Sequence, residues 1–75
     1  MEVITKIKLF EADTLTYAGT INVYSDSRWK FVDVTDEQLL DIGKHLPLKG
    51  ILHMLISLNM VYDIIPCTDE TGADT

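Results

Sequence analysis

Two histidines and one aspartate have the spacing that comes closest to a catalytic or metal-binding set. Asp41 and His45 are four residues apart, so they share a face of a helix, and His53 follows on the next predicted helix. Imidazole and carboxylate groups are zinc ligands. A simpler interpretation is that His45 ends a helix, where an imidazolium gains from the helix dipole, and that His53 lies on a polar stripe. We therefore predict no metal ligand and no cofactor.

Other signatures of catalysis are missing from the sequence. Its four glycines are isolated, so no glycine-rich loop precedes a helix. The serines have no neighbouring base, and Cys67 is a single cysteine without a histidine or arginine close by. One cysteine also excludes a disulfide framework and favours a reducing cytoplasm. We expect a protein that is not an enzyme, although so short a chain can still donate residues to a site shared between subunits.

The carboxylates are the strongest candidates for a functional surface. The chain has 75 residues, 12 of them acidic, and a formal net charge of −6. Asp33, Asp36, Glu37 and Asp41 gather around a predicted helix start, which favours either a solvated, well-capped helix or a negative surface complementary to a basic partner protein. Trp29 follows a predicted turn, and tryptophan is enriched in binding hot spots. These five residues form the predicted partner-binding site.

The charge balance argues against two other partners. Phosphate binding requires clustered cations, whereas the six basic residues are scattered along the chain, so we expect no nucleic acid and no anionic membrane surface as a partner. A local patch stays open, because Lys6, Lys8 and Lys30 could meet on one face of a sheet. The N-terminus lacks the pattern of a signal peptide, and polar residues interrupt the apolar run 46–66. We expect a cytoplasmic protein, in the host cytoplasm if it is encoded by a phage.

The first half of the chain predicts an antiparallel meander of three strands. Residues 2–12, 15–24 and 29–34 combine alternating hydrophobicity with many β-branched side chains, and turn residues separate them. Gly19 interrupts the second segment and predicts a bulge or the close approach of another element. The apolar residues expected on one face of this segment are Leu15, Tyr17, Ile21 and Val23.

Two helices and a last strand follow. Thr35 is the predicted N-cap, with Gln38 as its capping-box partner, and Pro47 ends the first helix near His45. Pro47 also suits the first turn of a second helix that runs to about Leu58. Asn59 predicts a left-handed stop. The strand-like segment 60–66 then completes the order β-β-β-α-α-β.

The second helix is unusually apolar. Residues 42–62 contain no carboxylate, and a narrow polar stripe of Lys49, His53 and Ser57 leaves an apolar arc too wide for one sheet to cover. We therefore predict self-association, with a homodimer as the expected state. The residues expected to contact the second copy are Leu52, Met54 and Ile56.

These elements predict an α+β fold, in which a small antiparallel sheet of three to four strands carries two helices packed on one face. Residues 1–67 are expected to form one compact domain, and residues 68–75 an acidic disordered tail.

The sequence favours a small acidic protein-binding module. Its size, charge and lack of catalytic motifs are similar to those of phage and mobile-element accessory proteins that modulate, or inhibit, a host protein. The alternative is a structural or assembly subunit that associates through its apolar second helix and has no electrostatic target.

Overall fold

The computed structural model describes residues 2–67, and the predicted tail 68–75 lies outside the described residues. Four strands form one antiparallel sheet in the order β3-β2-β1-β4, and both helices follow β3 in the chain. The predicted α+β fold with the order β-β-β-α-α-β is confirmed. The elements are β1 (Val3–Glu11), β2 (Tyr17–Tyr24), β3 (Trp29–Val32), α1 (Glu37–Gly43), α2 (Leu48–Met54), a 3₁₀ turn (Ile56–Leu58) and β4 (Met60–Pro66).

One face of the sheet packs against both helices. The strand register aligns Ile7, Ile21 and Phe31 across β1, β2 and β3, so their side chains point to the same side. Leu39 of α1 and Ile51 of α2 pack against these side chains and complete the core. Burial of such side chains supplies most of the favourable free energy of folding. The buried apolar residues are Ile7, Leu9, Ile21, Leu39, Ile51, Leu55 and Met60.

The interruption predicted at Gly19 is present, and it corrects one assignment of a face. The β1–β2 register shifts between Leu9 and Phe10, so Leu9 lies opposite Gly19 whereas Phe10 lies opposite Tyr17. Tyr17 therefore lies on the open face of the sheet, away from the helices, and the prediction for it was wrong. A simple alternation of side chains cannot locate the extra residue that a bulge inserts.

The start of α1 differs from the predicted capping box. Asp36, and not Thr35, is the N-cap: its backbone is extended, and its Oδ1 accepts a hydrogen bond of 3.0 Å from the Leu39 amide. The pairing of Thr35 with Gln38 was therefore wrong. Both Thr35 and Asp36 can cap a helix, and the position of the first turn decided between them. The helix is also shorter than predicted, since it ends at Gly43.

The second helix ends early as well. α2 stops at Met54, and the 3₁₀ turn occupies the rest of the predicted helix. Asn59 is left-handed, with φ of 58° and ψ of 45°, as predicted for the stop. The Met60 amide then donates to the Leu55 carbonyl, which joins the start of β4 to the end of the helical segment.

Candidate interaction surfaces

The predicted acidic residues lie in the segment before α1 and along α1 itself. Asp33, in the turn after β3, is exposed, as are Glu37 and Asp41. Asp41 Oδ1 lies 3.8 Å from His45 Nε2, a wide separation between two exposed groups. Asp36 is half-buried and its carboxylate caps the helix. Three carboxylates of the predicted set are therefore available to a partner, and the fourth has a local structural task.

Trp29 takes part in packing within the protein. Its ring lies edge-on to Phe31, with 5.1 Å between the ring centroids, and the side chain is half-buried. Both rings also pack against Gly43, where an added Cβ would overlap Phe31. Trp29 and Phe31 therefore hold the end of α1 close to the sheet. Part of the indole is still exposed to a partner.

The three predicted self-association residues differ in exposure. Leu52 is half-buried against the core. Met54 is 37% exposed, whereas Ile56, in the 3₁₀ turn, is 83% exposed. Ile56 is therefore the residue of this set that is most available for contact with another molecule.

The strand β4 extends this apolar region, which the sequence reasoning missed. Ile64 is 54% exposed, and Val61 and Tyr62 are exposed to a similar degree. We call these three residues, together with Met54 and Ile56, the α2–β4 surface. A groove of about 470 Å³ runs along it, lined by residues of α2, the 3₁₀ turn and the first part of β4. The sequence marked 60–66 as a strand but had no signal that placed this strand at an edge of the sheet.

The open face of the sheet carries cations. The register aligns Lys6, Asn22 and Lys30 in one row across three strands, and Lys8 follows Lys6 on the same face of β1. The three lysines that the sequence allowed to meet therefore share a face. Asp63 of β4 lies opposite Lys8. Between the lysines, Asn22 Oδ1 is buried and has no hydrogen-bond partner in residues 2–67.

Two other features are absent from the part of the chain that the structure describes. It holds no group of three or more His, Cys, Asp or Glu side chains placed to bind a metal ion. None of its helices has the length and apolar character needed to cross a membrane. No protein-family model, curated protein or solved structure matches this chain.

Proposed function

We propose that the protein is a small protein-interaction module that associates through the α2–β4 surface. The observation that carries the proposal is that three exposed apolar side chains, Ile56 of the 3₁₀ turn and Val61 and Tyr62 of the edge strand β4, line one groove. Scattered exposed apolar residues are normal on a protein surface, whereas a contiguous patch marks a contact with another molecule. Removing such a patch from water contributes about 25 cal/mol for each Å² covered.

This proposal combines both interpretations of the sequence. Met54 and Ile56 belong to the predicted self-association set, and β4 enlarges the area over which they can act. The surface also suits an assembly subunit, because a largely apolar contact is typical of stable complexes. Charge contributes less to association through this surface, because residues 42–62 carry Lys44 and Lys49 but no carboxylate.

The test compares two lysine substitutions at exposed apolar positions. Ile56→Lys places a charge on the α2–β4 surface, and Leu46→Lys, in the loop between the helices, is the control. We expect Ile56→Lys to weaken association at least about tenfold, because a buried unpaired charge is costly, and Leu46→Lys to leave it unchanged. Sedimentation velocity and titration with any partner captured by the wild-type protein give the affinities. Equal affinities for all three proteins would refute the proposal.

The acidic residues of α1 support a second candidate function, the recognition of a basic partner. No Lys or Arg within residues 2–67 forms an ion pair with Asp33, Glu37 or Asp41, so their charge is not neutralised locally. A negative surface of this kind raises the association rate and orients the partner more than it raises the affinity. A phage-type accessory protein would modulate or inhibit a host protein in this way, by occupying its basic surface.

The experiment for this candidate keeps Asp36, because its carboxylate caps α1. Asp33→Asn, Glu37→Gln and Asp41→Asn are combined in one variant, and its association rate with a basic partner is measured at low and high salt. We expect the rate to fall roughly tenfold at low salt and the difference to shrink at high salt, since the ions screen the charges. An unchanged rate at low salt would eliminate the electrostatic interface.

A further inference from the structure

Two hydrogen bonds show which main-chain groups of β4 are bonded to β1. The Ala12 amide donates to the Asn59 carbonyl at 2.9 Å, and at the other end the Cys67 amide donates to the Ile4 carbonyl at 2.9 Å. In the antiparallel register Ala12 follows the pair of Glu11 with Met60, and Ile4 precedes the pair of Thr5 with Pro66. The two bonds therefore bracket the whole β1–β4 ladder.

The alternation of an antiparallel ladder then assigns every residue between them. Hydrogen-bonded and non-bonded pairs alternate, so Val61, Asp63 and Ile65 direct their amide and carbonyl groups to β1. Tyr62 and Ile64 direct theirs away from β1, to the edge of the sheet at which no other strand of residues 2–67 pairs. This edge therefore presents two residues, separated by one, that each offer a donor and an acceptor.

The two edges of the sheet differ in their fitness for pairing. β3 is four residues long, and its aromatic side chains are half-buried against the helices. β4 is seven residues long, has its proline at its last position, and exposes three large apolar side chains. Long apolar edge strands pair with other strands unless charges, prolines or bulges prevent it. Within β4 the only charge is Asp63.

We propose that two copies of this chain pair antiparallel along β4 and form one continuous sheet, with four strands from each copy. The inference rests on the proposed function, since it names the partner of the α2–β4 surface. In the register centred on Asp63, Tyr62 of one copy and Ile64 of the other exchange both of their hydrogen bonds, and the two-fold axis repeats the exchange. Every outward donor and acceptor of these two residues is then bonded.

The charges near β4 are compatible with a second copy as the occupant of this edge. A net charge of −6 opposes most contacts between identical chains. Residues 42–62, which include α2 and the start of β4, contribute no carboxylate to this repulsion. The two Asp63 side chains face each other at the centre, each beside Lys8 of its own copy. The lysines reduce the repulsion between these two carboxylates.

Amide hydrogen exchange on the wild-type protein tests the pairing without a substitution. The amides of Val61, Asp63 and Ile65 are bonded within one copy, so we expect them to be protected at every concentration. The amides of Tyr62 and Ile64 should become protected only as the protein concentration rises and sedimentation shows a dimer. A dimer that forms without protection of these two amides would overturn the inference, as would a monomer at every concentration.

A proline substitution tests the same hydrogen bonds in another way. Ile64→Pro removes an amide that points away from β1, so the ladder of the monomer keeps its bonds. Ile64→Thr is the control, because it changes the side chain and keeps the amide. We expect Ile64→Pro to weaken the dimer roughly tenfold more than Ile64→Thr does, with melting curves to show that both fold. Equal weakening by the two variants would contradict pairing through the main chain.

The register has its own test. Asp63→Asn removes the facing like charges, and we expect the dimer to become about threefold tighter. An unchanged dissociation constant would exclude the register centred on Asp63. A protein that loses association through Ile56→Lys but is indifferent to Ile64→Pro would refute strand pairing and leave the proposed function standing. Indifference to both substitutions would refute both proposals.

Discussion

Asp36 shows how one side chain fixes the start of a helix. Its carboxylate accepts the Leu39 amide, which would otherwise lack a partner in the first turn. We expect Asp36→Ala to lower the free energy of unfolding by about 1 kcal/mol, measured by urea denaturation. Thr35→Ala is the control and should change it by no more than a few tenths. An equal loss of unfolding free energy from Thr35→Ala would show that Thr35 contributes as much to capping α1 as Asp36 does.

Gly19 is a residue for which backbone conformation and packing both matter. Its φ is 130°, and an added Cβ would come 2.5 Å from Val34 Cγ2. We expect Gly19→Ala to lower the free energy of unfolding by roughly 2 kcal/mol or more, through backbone strain and overlap together.

Combining Gly19→Ala with Val34→Ala separates the two causes. The double variant removes the overlapping methyl group but keeps the strained φ, so the cost of Gly19→Ala should be smaller in this background. An identical cost in both backgrounds would show that the overlap with Val34 contributes nothing.

At the scale of the element, α2 and the 3₁₀ turn differ in what their isoleucines do. Ile51 is completely buried, whereas Ile56 is 83% exposed. We expect Ile51→Ala to cost about 2–5 kcal/mol of unfolding free energy, because it leaves a cavity in the core. Ile56→Ala should stay within about 0.5 kcal/mol. Both are measured at a concentration where the protein is monomeric, and a large cost for Ile56→Ala there would show that Ile56 packs inside its own subunit.

At the scale of the whole molecule, the net charge of −6 affects stability. Repulsion among like charges destabilises a compact state, and added salt screens it. We therefore expect the melting temperature of the dilute protein to rise between low and physiological salt. The variant in which Asp33, Glu37 and Asp41 are neutralised should show a smaller rise. An equal rise in melting temperature for both proteins would show that these three carboxylates do not contribute to the repulsion that salt screens.

Local signals in the sequence predicted most of the elements. Asn59 as the left-handed stop and the interruption at Gly19 were both predicted correctly, because each depends on a property of one residue type and its neighbours. The apolar arc of the second helix was also predicted from the helical period, and Ile51 of α2 is buried. Ile56 entered the predicted self-association set from the same periodicity, and its part in association stays a prediction.

The errors have a common origin in competition between local alternatives. Thr35 and Asp36 are both good N-caps, and the packing of Leu39 into the core selected the turn that Asp36 caps. Tyr17 lies on the face opposite to the predicted one. The bulge in the β1–β2 ladder changes which face the residues before Gly19 point to, and a bulge exists only where two strands pair. Neither choice is visible without the neighbouring element.

The sequence by itself determined the order of the elements, the apolar faces of the helices and the separation of carboxylates from residues 42–62, because spacing and residue type decide these properties. Only the tertiary structure decided that β4 is an edge strand, which among residues 2–67 pairs only with β1. Strand order depends on how the helices cross the sheet, and the fold placed Val61 and Tyr62 on the groove that Ile56 lines. The surface proposed for association therefore combines a helical segment that the sequence identified with a strand that the fold placed beside it.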